Sequence, residues 1–423
     1  MTDSAVLLGE KAGRGRRGTN LPRMGDFNQS LILDEIRRSP AGLSRVELAR
    51  TTRLSAQTIS NICRRLLDAG LIREAGKEGI GPGKPRTILG LNAQGRYAVG
   101  VHLDPTVMTL VILDLTGTVV SRIREQTPNG TDPQHVVDTI VRATTRLIGE
   151  SGVDHARIAG IGIAAPGPID AVRGAVIDPP NLSGWHRVTL RDSLSEATGL
   201  PAVLDKDVTA AAVAEMWVGG DRGSESFVFV YLGTGIGIGT VLEGDVVRGT
   251  SGNAGEVGHI VVDPQGPLCT CGQNGCVAVT STPKTLVEEA ERLGAIASVR
   301  TNDSTGEIDD AFTRLCDAAA NGGELALGVI ERSAARITRA VAVVANMLDV
   351  DRVIFGGPNW SRLANFYLPG VPTLLEDLRA TRSIHHITIM GTNFGEEVGA
   401  VGAACLILDH TLTPRPGTLL LTD

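Results

Sequence analysis

Apolar residues recur along the chain at two different periods, and the change of period divides it. From Asn28 the spacing is helical, with Leu31, Ile32 and Ile36 on one face of a helix over about 28–39. Pro40-Ala41-Gly42 ends it. Ser44-Arg45-Val46-Glu47 has the pattern of a capping box, in which the serine hydroxyl accepts from the glutamate amide while the glutamate reaches back. It opens a short helix to about Thr51. Arg53-Leu54 turns the chain, Ser55 caps a third helix over about 56–69, and Gly70 closes it. Residues 71–74 and 87–91 read as two strands joined by a loop over 76–86. After Gln94 strands alternate with helices. Strands are expected at 97–103, 108–113, 119–124, 158–164, 201–204 and 227–232, with helices at 134–150 and 208–218. The last third is mainly helical around a strand at 352–355 and Gly356-Gly357. This alternating α/β order predicts a two-lobed body. Residues 1–25, rich in Gly and Arg and without periodicity, read as a flexible basic tail.

Charge sharpens the division. Residues 11–86 hold 16 Lys and Arg against 7 Asp and Glu, a net of +9. The whole chain carries −7, and its first ten residues −2, so residues 87–423 carry −14. A basic module is attached to an acidic body. No apolar run approaches the roughly 20 residues of a membrane helix. The basic residues near the start follow the short apolar patch, the wrong order for a secretory signal. A cytoplasmic protein is expected.

In the third helix Ile59, Ile62, Cys63 and Leu66 face inward. The opposite face presents Gln57, Thr58, Ser60, Asn61, Arg64 and Arg65. Short or amide-bearing side chains near a helix start, with basic ones further along, suit a helix that reads base edges and holds phosphates. Lys77, Lys84 and Arg86 in the following loop would make a basic wing. The alternative is a small helical domain that binds protein. Helix, tight turn, polar-faced helix and basic wing occurring together favour a winged helix-turn-helix that binds double-stranded DNA.

Cys269, Cys271 and Cys276, with His259 ten residues before the first of them, offer three thiolates and an imidazole. This set suits tetrahedral zinc, and four protein ligands leave no open position, so the metal is expected to be structural.

The segment Gly258-His259 … Gly266-x-x-Cys269-Thr270-Cys271-Gly272-Gln273-Asn274-Gly275-Cys276 resembles the ROK family (repressors, open reading frames and sugar kinases). The resemblance spans about residues 28 to 410. It implies an actin-like fold of the ribonuclease H and hexokinase type, with an N-terminal winged helix in the repressor members. It also implies that the zinc shapes a sugar-contacting loop, and that Asn181, Asp207, Glu256 and His259 hold a hydroxylated ligand. In the kinase members Asp207 would be the general base. Two positions depart from the pattern. A family Glu after the last cysteine is Ala278, and the Asn before the aspartate is Lys206, both bearing on glucose-type specificity.

The family's phosphate turn, Asp-x-Gly-Gly-Thr, reads His102-Leu103-Asp104-Pro105-Thr106 here. Pro105 has no N–H, and Asp104 adds negative charge where phosphate should sit. The second phosphate loop, Gly233, Thr234 and Gly235, survives. The expectation is a sugar or sugar-phosphate sensor without ATP or Mg²⁺ chemistry, acting as a repressor in a homodimer or dimer of dimers. The alternative is an active ATP-dependent sugar kinase carrying a DNA-binding module. The expected boundaries are 26–92 for the winged helix, 93–205 with 395–423 for the first lobe, and 206–394 for the second.

Overall fold

A computed structural model describes residues 21–78, 85–128, 132–182, 184–219, 226–298 and 305–412. Helix α1 spans Leu21–Arg38. It begins inside the segment expected to be an irregular tail and before the start expected at Asn28. Pro22 is the reason: in the first turn of a helix the missing proline N–H costs nothing, and its fixed φ favours the helix. Strand β1 (Leu43–Ser44) leads into α2 (Arg45–Thr52), whose capping box is formed as expected. The Glu47 amide donates to the Ser44 hydroxyl at 3.3 Å, and Glu47 accepts from the Ser44 amide at 2.8 Å. Arg53, at φ 57°, turns the chain into α3 (Ala56–Asp68), capped by Ser55. Strands β2 (Ile72–Glu78) and β3 (Arg86–Leu91) complete a sheet in the order β1-β3-β2. Buried Ile32, Leu33, Ile36, Leu48, Ile59, Ile62 and Leu66 hold this winged helix together.

The first lobe contains β4 (Tyr97–Leu103), β5 (Val107–Asp114), β6 (Val119–Gln126), α4 (Pro133–Ser151) and β7 (Ile158–Ala165). It continues through β8 (Ile169–Asp170), β9 (Ala175–Ile177), β10 (Arg187–Val188), α5 (Leu190–Thr198) and β11 (Ala202–Lys206). Its main sheet has the order β11-β7-β4-β5-β6. Next comes α6 (Asp207–Val218). The second sheet, β14-β13-β12-β15-β16, is made from β12 (Phe227–Leu232), β13 (Ile236–Leu242), β14 (Asp245–Val246), β15 (Arg352–Gly356) and β16 (Thr388–Gly391). Helices α7 (Val277–Thr280), α8 (Pro283–Arg292), α9 (Thr305–Ala320), α10 (Glu324–Leu348) and α11 (Trp360–Leu378) belong with it, and α12 (Val398–Leu412) ends the described chain.

Helices α6 and α12 form a central layer between the two sheets, and strand alternation shows it. Phe227, Phe229 and Tyr231 of β12 join the apolar cluster around α6 and α12, whereas Val228, Val230 and Leu232 face the cluster of α8–α11. In β4, Ala98 faces the central layer while Val99, Val101 and Leu103 face away. The contact is close. A Cβ on Gly162 would lie 1.6 Å from the Ala403 carbonyl oxygen, and one on Gly100 2.0 Å from that of Ala400. Only glycine lets the sheet approach the α12 backbone at these points.

Candidate functional site

The turns after β4, β12 and β15 open into one cleft of about 1180 Å³ between the lobes, and Asp207 is not among the residues that line it. Ligands in open α/β folds gather outside the carboxyl ends of the strands, as these loops do. Asn181, Glu256 and His259 line the cleft, together with Asp104, Pro105, Thr234 and Gly235.

Asp207 is the first residue of α6, half-buried at the end of β11. Burial raises its carboxyl to about 7. The Val208 amide, at 2.7 Å, and Lys206 oppose the rise, while Asp104 and Glu256 add to it. Lys206, nearly fully buried, donates to Glu256 and to the Ala254 carbonyl. A buried ammonium needs such a counter-ion. The Glu256 side chain is 65% exposed, so its remaining oxygen capacity faces the cleft. Carboxylates, an amide and an imidazole grouped in this way can both donate to and accept from vicinal hydroxyls.

The turns after β4 and β12 are built differently. One Asp104 carboxylate oxygen accepts from the Thr234 hydroxyl at 3.0 Å, the other is 3.2 Å from it, and the Thr106 amide donates to the carboxylate at 2.8 Å. His102 is buried, which lowers its pKa and keeps it neutral, and Nε2 shares a 2.9 Å hydrogen bond with the Tyr231 hydroxyl. Both contacts join the end of β4 to the β12 strand or its following turn. Beyond them Arg124 pairs with Glu396 at 2.5 Å and Arg362 with Asp309 at 2.7 Å. Sequence reasoning missed these lining residues. Their pairs join positions far apart in the chain, and no local motif marks them.

His259, Cys269, Cys271 and Cys276 place their ligand atoms within 4.8 Å of one another. Cys269 Sγ lies 3.4 Å from His259 Nδ1, and Cys271 Sγ 3.6 Å from Cys276 Sγ. Zinc–sulfur bonds of about 2.3 Å with tetrahedral angles imply edges of roughly 3.8 Å, and somewhat less for a nitrogen ligand. The cluster therefore fits a metal ion. Nδ1 lies on the thiol side, which leaves Nε2 at the opposite edge of a ring that lines the cleft.

On the winged helix, Gln57, Asn61, Arg64 and Arg65 are exposed, and Thr58 and Ser60 are half-buried along the same side of α3. Gln57 Nε2 donates to Asn61 Oδ1 at 3.1 Å. Arg86 is exposed at the start of β3. Lys84 lies outside the described residues. Among the described residues no helix is long and apolar enough to cross a membrane.

Two family models match the chain: the MarR family over residues 20–79 and the ROK family over 98–410. The xylose repressor of Bacillus subtilis is 26% identical over 394 residues, covering 91% of this chain and 96% of that protein. A glucokinase of Thermotoga maritima is 31% identical over 317 residues, covering 74% of this chain and 97% of its own length. The crystal structure of a ROK-family transcriptional regulator, a homologue of the E. coli Mlc protein, superposes with a TM-score of 0.75 at 24% identity. It covers 92% of this chain and 98% of that one. With a MarR-type winged helix followed by the two-sheet body that the ROK model spans, the chain belongs to the ROK family.

Proposed function

We propose that this protein is a transcription repressor that binds double-stranded operator DNA through its winged helix. Its DNA affinity is set by a sugar or sugar derivative, including sugar phosphates, bound in the kinase-like cleft. In this reading Asn181, Asp207, Glu256 and His259 hold the ligand hydroxyls. A structural zinc on His259, Cys269, Cys271 and Cys276 fixes the loop that carries His259, its Nδ1 on the metal and its Nε2 toward the ligand. Gln57, Thr58, Ser60 and Asn61 face base edges, and Arg64, Arg65, Lys84 and Arg86 face phosphates. The winged helix extends from α1 to about residue 92. Residues 93–205 with 395–423 make one lobe, and 206–394 the other. The chain works as a dimer or dimer of dimers, because two half-sites spaced by whole helical turns require two winged helices.

The observation that carries the sensor reading is the Asp104–Thr234 bond. In this reading Thr234 has its hydroxyl engaged by a carboxylate where a phosphate-binding loop would offer it to an anion, and Pro105 removes an amide from the same spot. A nucleotide would meet charge repulsion and a missing donor together. The supporting experiment selects a DNA sequence from a random pool with the full chain, then measures binding by anisotropy with and without a sugar panel. Specific binding modulated by one sugar is expected; affinity at the non-specific level across salt concentrations would end this reading.

One observation favours a second reading, an ATP-dependent sugar kinase. Asp207, held near 7, is well poised to take a hydroxyl proton at neutral pH. That reading requires ADP release on mixing a sugar with Mg-ATP, abolished in Asp207→Asn.

A further inference from the structure

The winged helix and the central helical layer share one core. A single apolar cluster takes in Ile32, Leu33 and Ile36 of α1, the buried side of α3, and most of α6 and α12. Among the described residues a polar contact marks the joint. The Arg37 guanidinium lies 4.3 Å over the Trp217 ring and donates to the Trp217 carbonyl. Asp34 fixes the same guanidinium through bonds of 2.7 and 3.0 Å. Arg37 is only 9% exposed, so its charge is committed to these partners. The Trp217 indole N–H has no acceptor among the described residues, so the ring is placed by the stack and by packing. Leu33, Leu91, Leu115 and Leu412 line the small hollow at this joint.

Trp217 lies in the last turn of α6, and Asp207 is that helix's first residue. At about 1.5 Å per residue the helix runs roughly 15 Å from Asp207, whose carboxyl feels the charges of the cleft residues Asp104 and Glu256, to the winged helix. Almost every residue between is buried. A Cβ on Gly402 of α12 would lie 1.9 Å from the Ala210 carbonyl oxygen, so the two helices are in backbone contact without slack. A core packed this closely passes displacement along rather than absorbing it. α12 also reaches the joint, through Leu412.

We propose that Arg37 and Trp217 are positioning residues that carry the ligand state of the cleft to the DNA-binding module, with α6 as the strut between them. The inference rests on the sugar-gated repressor reading. Ligand hydroxyls engaged at Asp207 fix the near end of α6 relative to the lobes. The far end moves with it and turns α1, against which α3 is packed. The orientation of α3 in the DNA groove then follows the occupancy of a site on the other side of the molecule.

The test uses the full chain and an operator selected by the wild type. Operator Kd is measured by anisotropy with and without D-xylose, D-glucose, D-mannose, N-acetyl-D-glucosamine and glucose 6-phosphate. Calorimetry measures binding of the same sugars in the absence of DNA. The variants are Arg37→Ala, Arg37→Lys, Trp217→Phe, and Arg38→Ala as a control whose side chain pairs with Asp34 without reaching Trp217. The wild type is expected to change its operator Kd at least tenfold with one sugar. Arg37→Ala and Trp217→Phe should compress that ratio to threefold or less while sugar binding stays within threefold of wild type. Arg37→Lys should recover part of the ratio, and Arg38→Ala should keep it. If Arg37→Ala does not fold, Trp217→Phe alone decides. A full ratio in Trp217→Phe overturns the relay and leaves the repressor reading standing. A wild type that answers to none of these sugars overturns both.

Discussion

Asp207 gives a prediction whose sign and size follow from its surroundings. Its carboxyl titrates near 3.8 when free and at about 7 in the fold, raised chiefly by burial. Below pH 3.8 the folded and unfolded chains both hold the proton, and the group contributes nothing. Between 3.8 and 7 the fold keeps a proton that the unfolded chain releases, so stability falls as pH rises. Above 7 the full cost applies. A shift of about three units at 1.36 kcal/mol each sets a ceiling of about 4 kcal/mol. Asp207→Asn removes the charge, and the amide oxygen still faces the Val208 N–H. For 423 residues at roughly 2.1 cal/mol/K each, 4 kcal/mol corresponds to about 4 °C in Tm. Without sugar, the variant should melt about 1 °C above the wild type at pH 4.5 and about 4 °C above it at pH 8, as followed by differential scanning fluorimetry. A sugar that hydrogen-bonds the ionised carboxylate should narrow the gap in the wild type alone. A gap that stays constant from pH 4.5 to 8 would refute the assignment of a buried, proton-holding carboxyl at this position.

Other consequences concern the remaining sites. One zinc per chain is expected by elemental analysis. Cys276→Ser should lower Tm by about 5 °C or more and remove the sugar-induced shift, because the loop bearing His259 loses its anchor; a sugar shift that survives zinc removal would separate the metal from the ligand site. Arg64→Ala should weaken operator and random DNA by similar factors and reduce the salt slope by about 1, whereas Gln57→Ala should change the selected sequence. Replacing both Asp104 and Pro105 by glycine restores bare amides beside Thr234 and should raise the affinity for a fluorescent ATP analogue at least tenfold. Equal binding by wild type and the double variant would show that this loop is not what excludes nucleotide.

What could be read from the sequence divides by distance along the chain. The capping box at Ser44 and Glu47, the Ser55 cap and the inward row Ile59, Ile62, Cys63 and Leu66 are local signals, and the fold carries each of them. The Cys3His cluster was legible because three ligands lie within eight residues and the fourth ten before them. α1 starts earlier than the Gly- and Arg-rich composition of residues 1–25 suggests, and a proline in the first helical turn is compatible with that start. The contacts that shape the cleft and join the body to the winged helix were out of reach. Asp104 and Thr234 are 130 residues apart, and Arg37 lies 180 residues from Trp217. One trace of the second contact was nevertheless present. Residues 208–214 read Val-Thr-Ala-Ala-Ala-Val-Ala, apolar or small on every side, where a surface helix would show a polar face. A helix of that kind must be enclosed all round, and here the enclosing partners are both sheets and α12. Asp207 stands at one end of this helix and the Trp217 indole near the other. The fold thereby ties the Asp207 carboxylate to the helix that supports α3, through small side chains whose only individual property is to leave no room.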